Sequence, residues 1–235
     1  MRRDRTGAER FFRTSDYWRA WASVPDLTVD IDYALRAVRR EDRRVLDVAC
    51  GHGRLLQAIA RYAPDAELHG LDINRAMVLR AQLGVPQARI TLGSAHMLPY
   101  HNGSFDTVLC NESLMHFGHP HRALMELCRV SRDRVYVSVT TRRNVNALLR
   151  RLGWLASSRD VPHWTYDLEE IRALLPGSFR WSITGGILIG RKALGLSHGA
   201  HLRLHRVLGR LTPQAILRRV GQSLFVYGER GAGLA

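Results

Sequence analysis

Two carboxylates and two glycines in the first third of the chain are the residues best placed to do chemistry. An apolar run, Val45-Leu46-Asp47-Val48-Ala49, leads into Cys50-Gly51-His52-Gly53, so an acidic residue is delivered to a tight turn. Asp72 closes a second apolar run about 20 residues further on, the distance that one strand–helix–strand step needs to bring a carboxylate to ribose hydroxyls. Glycines lack a Cβ, adopt backbone angles closed to other residues and let the chain approach a ligand closely. A dinucleotide loop would need a third glycine at position 56, and Leu56 stands there. Asp47, four residues before Gly51, suits instead a zwitterionic ligand that carries a cationic amine.

S-adenosylmethionine is such a ligand, and three blocks carry a resemblance to its users. They are VLDVACGHGR, LHGLDIN and GSAHMLPYHNGSFDTVLCNESLMHF from Gly93 to Phe117. With them the chain resembles the class I S-adenosylmethionine-dependent methyltransferases, in particular the small-molecule group that includes the ubiquinone and menaquinone biosynthesis (type 11) enzymes. The resemblance spans roughly residues 40 to 140. It implies a cofactor site of Asp47, Ala49, Cys50, Gly51, Gly53, Asp72, Ile73, Met77, Ser94, Ala95, His96 and Asn111. An N-terminal helix often covers the cofactor in this family, which would bring Tyr17 to the methionine carboxylate; packing of the aromatics on the sheet edge is the equal alternative. The family usually has Asp where Ser94 stands, as acceptor for the adenine amino group. A hydroxyl accepts without charge assistance, so the expectation is binding with reduced selectivity for adenine.

Methyl transfer from a sulfonium is an in-line displacement in which a protein positions the nucleophile and removes its proton. His116, just after the fourth strand, is the expected catalytic base, and Glu112 is a weaker candidate. Glu112, Met115 and Phe117 are expected to touch substrate, joined by His163 and Trp164 when a lid over residues 140–165 closes. The histidines do not have metal-ligand spacing, and the three cysteines lack a Cys-x-x-Cys pair, so no metal site is expected. Cys50 reads as a small residue tolerated beside Gly51 rather than as a reactive thiol.

These residues need a frame. Apolar strands near residues 45–48, 66–73, 88–92, 105–110 and 135–139 alternate with helices at 54–62, 75–83 and 121–130, and two further strands follow at 179–191 and 223–228. That alternation predicts an α/β fold: a Rossmann-like, seven-stranded, mostly parallel sheet with helices on both faces. One domain over residues 1–235 is expected, with a helical N-terminal lid at 1–25 and a helical insertion at 193–222 before the last strand. Residues 8–23 and 28–40 read as helices, Thr165 or Asp167 caps another, and residues 130–134 read as a loop.

A hydrophobic content of 46% is ordinary for a globular core. The net charge is +14, and all but one of the 35 basic residues are arginine. Seven basic residues and no carboxylate lie between Arg191 and Arg219, so an anionic partner enters the reading. There Leu204, Val207, Leu208 and Leu211 form an apolar stripe, expected to pack on the sheet, with an anionic membrane surface as the alternative. Nucleic-acid amino methylation would need an Asn/Asp-Pro-Pro-aromatic turn, but Asn111-Glu112-Ser113-Leu114 stands there. A carbon-5 cytosine mechanism would need a Pro-Cys pair, which the chain lacks. The expected function is methylation of a hydroxyl, less readily an amine or carbon, of a small metabolite or lipid. RNA methylation and a non-catalytic cofactor-binding module are the alternatives. With no apolar h-region behind the basic N-terminus, a cytoplasmic protein is expected.

Overall fold

A computed structural model of the chain describes residues 7–15, 28–153, 161–186 and 194–231. Two short helices, α1 (Ala8–Thr14) and α2 (Val29–Leu35), precede the sheet. The alternation that follows is β1 (Arg44–Val48), α3 (Arg54–Tyr62), β2 (Glu67–Asp72), α4 (Arg75–Gly84), β3 (Arg89–Leu92) and β4 (Phe105–Cys110). A 3₁₀ turn at Leu114–His116 leads to α5 (Pro120–Val130) and β5 (Ser131–Thr140). The remainder comprises α6 (Val145–Arg151), α7 (Leu168–Leu174), β6 (Arg180–Gly186), α8 (His198–Leu211), α9 (Gln214–Val220) and β7 (Ser223–Glu229).

The seven strands form one sheet in the order β3-β2-β1-β4-β5-β7-β6, in which β7 runs antiparallel to both neighbours. The chain leaves β1 for β2 on one side and reaches β4 on the other, so a crevice opens at the carboxyl ends of β1 and β4. Strands buried on both faces read as continuous apolar runs, and alternate residues of each strand serve the two faces. Leu46, Val48, Val108 and Val137 pack with α5 and α7, through Leu124, Leu127 and Ile171. Val45, Leu109 and Tyr136 pack with α2 and α3, through Ile31, Ala34, Leu56 and Ile59.

Some boundaries differ from the sequence reading, and others the structure decides. Residues 131–134 are strand rather than loop: α5 passes directly into β5, and Ser131 already pairs with Phe105. Its polar sequence is tolerated because Arg134 is buried against Asp42, with Thr107 and the Ala37 carbonyl as further partners. Helix α2 stops at Leu35, short of residue 40. Asp167 rather than Thr165 caps α7, in a reciprocal capping box with Glu170. Strand β6 is described as far as Gly186. The stripe expected to pack on the sheet is not the buried face of α8. That face is His201, Leu202 and His205, whereas Val207 and Leu211 are exposed. No described helix is long and apolar enough to cross a membrane.

Candidate active site

The glycine turn bends through three left-handed residues, Ala49, Gly51 and Gly53, with φ of 61°, 56° and 89°. The two glycines do different work. A Cβ at Gly51 would meet nothing within 4 Å, so its turn faces open space. A Cβ at Gly53 would stand 2.9 Å from Val85 at the end of α4, so Gly53 serves close helix packing. Gly70, beside Asp47 in the ladder, was missed by sequence reasoning. Its Cβ would come within 3 Å of Ile90, Cys50 and Leu56, and the strand of buried residues around it gives no motif to find it by.

Asp72 Oδ2 accepts the Gly51 N–H at 2.8 Å and Oδ1 accepts the Asn74 N–H at 2.8 Å. The end of β2 is thereby tied to the glycine turn. Burial raises the Asp72 pKa, and the backbone N–H groups of Asn74, Gly51 and Ile73 pull it back. Asp47 is 2% exposed; burial raises its pKa well above the usual range, the neighbouring Asp72 adds to this, and Arg54 opposes it. Two carboxylates beside a turn open at Gly51 form an acidic cradle. It fits a ligand with ribose hydroxyls and a cationic amine, and a cation there lowers the cost of ionising Asp47.

The other residues expected around the cofactor are placed unevenly. Cys50 is buried in the core beneath the turn and burial pushes its thiol well up, which fits a packing role. Met77 and Ala95 are buried, and Ile73 is half-buried beside Asp72. Tyr17 lies outside the described residues. Ser94 and His96 follow β3, and both bond to Glu9 of α1. Asn74, which caps α4, also donates to the carbonyls of Phe12 at 2.8 Å and Ser15 at 3.2 Å. These bonds hold α1 over the carboxyl ends of β2 and β3. Sequence reasoning missed Glu9 and Asn74, although Asn74 ends the LHGLDIN block.

Beyond β4 lies a polar network. Asn111 donates to Asp30 at 2.9 Å and accepts from Tyr136 and Ser138 at 3.2 and 3.1 Å. Asp30 in turn holds Arg54 at 3.0 Å. Asn111 is therefore engaged in positioning the first turns of α2 and α3. Glu112 has a left-handed φ of 49°, and its N–H donates to the Ser138 hydroxyl at 2.6 Å. Its Oε1 is buried without a hydrogen-bond partner among the described residues. Burial and then the charge of Asp30 raise the Glu112 pKa to about 7.

His116 ends the 3₁₀ turn. Its Nδ1 lies 2.6 Å from the Pro162 carbonyl oxygen; a carbonyl only accepts, so the proton of the neutral ring is on Nδ1 and the lone pair on Nε2. Burial lowers its pKa to about 4, against an opposing contribution from Pro162. The ring packs 4.9 Å from Phe12 and 5.2 Å from His163, centroid to centroid. One expected substrate-contacting residue, His163, is thus brought beside His116 and α1. Trp164 is held over the turn by its backbone N–H, which donates to the Met115 carbonyl at 2.8 Å. Phe117 is half-buried against His96, 5.6 Å away. Met115 corrects the expectation: its side chain is 1% exposed within the core, because the 3₁₀ turn directs it inward. No group of His, Cys, Asp or Glu is placed to hold a metal among the described residues. A cavity of about 260 Å³ lies at the β6 edge of the sheet, lined by Arg172, Trp181 and Arg218 among others, and is separate from this site.

Residues 46–139 match a methyltransferase domain family. A phthiotriol/phenolphthiotriol dimycocerosates methyltransferase of Mycobacterium ulcerans is 31% identical over 176 residues, 74% of this chain and 64% of that protein. The demethylmenaquinone methyltransferase of Thermotoga maritima is 33% identical over 87 residues, 37% of this chain and 38% of that protein. The chain thus spans less than two thirds of either relative. Magnesium protoporphyrin IX methyltransferase from Synechocystis, solved with bound S-adenosylhomocysteine, shares the fold at a TM-score of 0.66 and 18% identity, covering 97% of this chain and 100% of that one. Domain match and sheet order agree: residues 46–139 are a methyltransferase domain, set in the fold of the class I S-adenosylmethionine-dependent methyltransferases.

Proposed function

We propose that the protein methylates a hydroxyl group of a small metabolite or lipid, with His116 as the proton acceptor. S-adenosylmethionine, when bound, supplies the electrophilic methyl group. Gly51 leaves room for it, Asp72 would hold the ribose hydroxyls and Asp47 the cationic amine. His116 carries the reading, because Pro162 fixes its tautomer while α1 and residues 161–164 wall the ring. With Nδ1 protonated, Nε2 is the basic nitrogen of the neutral ring and the atom to which a hydroxyl proton would pass. The Mycobacterium ulcerans relative, named for a triol ester, supports a hydroxyl-bearing substrate.

The segments at 1–25, 140–165 and 193–222 are proposed to choose the substrate. Helices α8 and α9 expose Val207, Leu211 and Ile216 beside Arg203, Arg206 and Arg210, a composition suited to an anionic lipid surface. The three cysteines are free and buried, which supports a cytoplasmic setting.

Calorimetric titration with S-adenosylmethionine and S-adenosylhomocysteine tests the cofactor part, with Asp72→Ala as control. Micromolar binding that the variant loses is expected. Absence of binding to both would overturn it.

A further inference from the structure

The turn after β3 has an unusual second layer. Glu9 of α1 reaches across it: its Oε1 accepts the Ser94 hydroxyl and lies 2.7 Å from His96 Nδ1. His96 is oriented for this bond, since its Nε2 accepts the His119 N–H at 3.4 Å and leaves the proton on Nδ1. The Ser94 hydroxyl also accepts the His96 N–H at 3.1 Å. Ser94 therefore spends its proton on Glu9 and one lone pair on its own turn. Gly93 donates to the Asp72 carbonyl at 2.9 Å, which sets this turn beside the carboxylate that would hold the ribose. The family resemblance assigns the adenine contact to this turn, Ser94 to Met97.

We infer that Glu9, delivered by the N-terminal helix, is the residue that selects adenine in the cofactor. The inference rests on the cofactor reading above. A carboxylate has about four lone-pair sites and no proton to give. Ser94 and His96 both use Oε1, and the side chain stays 41% exposed, so the carboxylate keeps an open edge for the 6-amino group of adenine. Burial works against its ionisation, yet the bonds from Ser94 and His96 outweigh this and hold the Glu9 pKa below the ordinary range. Glu9 is thus charged at neutral pH and an acceptor only. Position 94 itself offers a hydroxyl, and the missing charge arrives from a different part of the chain. A 6-oxo purine would set a carbonyl oxygen against that carboxylate, two acceptors with no hydrogen between them.

The test compares the affinities of S-adenosylhomocysteine and S-inosylhomocysteine by calorimetry on the full chain. The native protein is expected to prefer the adenine compound by about 10- to 100-fold, the worth of one hydrogen bond to a charged group. Glu9→Gln carries an amide that both donates and accepts, and should bring the two affinities within about threefold. Glu9→Ala combined with Ser94→Asp should restore the preference by returning a carboxylate to the turn. A Glu9→Gln variant that keeps the full preference, or weakens both ligands in equal proportion, overturns the inference and leaves Glu9 as a structural latch. A native protein that binds neither ligand sinks the cofactor reading itself, which separates the two failures.

Discussion

The ring of Phe12 lies 4.9 Å from that of His116, so a side chain of the N-terminal helix packs against the ring proposed as the proton acceptor. His116→Ala is expected to lower turnover about 10²-fold or more, with unchanged affinity for S-adenosylhomocysteine. Turnover measured on a substrate found by screening, alongside calorimetry, checks both halves; near-normal turnover would remove His116 from the mechanism. Because burial holds its pKa at about 4, the pH–rate profile should show no limb near 6.5 from this group.

Glu112 gives a pH dependence of opposite kind. Its pKa in the folded protein is about 7, against an ordinary value of 4.5. Below pH 4.5 both folded and unfolded chains hold the proton and nothing is lost. Between there and 7 the unfolded chain releases it first, so stability falls as pH rises; above 7 the cost levels off at roughly 3 kcal/mol. Glu112→Gln should therefore match the native protein near pH 4.5 and exceed its stability at pH 8. Urea unfolding at the two pH values decides this, and a constant difference between the proteins would contradict it.

The two glycines of the turn should separate in a binding and stability experiment. Gly51→Ala places a Cβ on a left-handed residue in open space, at a cost of about 1–2 kcal/mol. It should fold and bind S-adenosylmethionine more weakly. Gly53→Ala adds contact with Val85 at 2.9 Å to the same backbone penalty, and should lose about 2–4 kcal/mol. Equal losses of stability in denaturant would remove the distinction.

The sheet was legible because strands buried on both faces are written as near-continuous apolar runs that lead into Gly, Asp or Asn, as in Val45 to Gly53 and Leu68 to Asn74. The ends of elements were less so. Ser131-Arg132-Asp133-Arg134 looks like a loop until Asp42, distant in sequence, neutralises Arg134. Asp47, Asp72 and the glycines stood out by spacing alone. Glu9, Asp30 and Asn74 did not, because each acts through a partner that only the packing of α1, α2 or α4 brings near. Helix α8 misled for a related reason: two histidines share its buried face with Leu202, while the apolar stripe runs beside that face, with Leu204 and Leu208 half-buried and Val207 and Leu211 exposed.

That exposed face makes its own prediction. Sedimentation with vesicles rich in anionic lipid should carry the protein down at low ionic strength and release it as salt rises. Replacing Val207 and Leu211 with Ser should weaken the binding that remains at moderate salt. No binding at low ionic strength would remove the lipid surface from the partners of this chain.

One short helix carries both Glu9 at the adenine end of the cradle and Phe12 beside His116. A helix with a foot in each place ties the filling of one to the shape of the other. The kinetic prediction is an ordered sequence: the nucleoside is expected to seat first, the acceptor molecule to enter next, and the demethylated nucleoside to leave last. In steady-state patterns, S-adenosylhomocysteine would then compete with the methyl donor and act noncompetitively toward the acceptor.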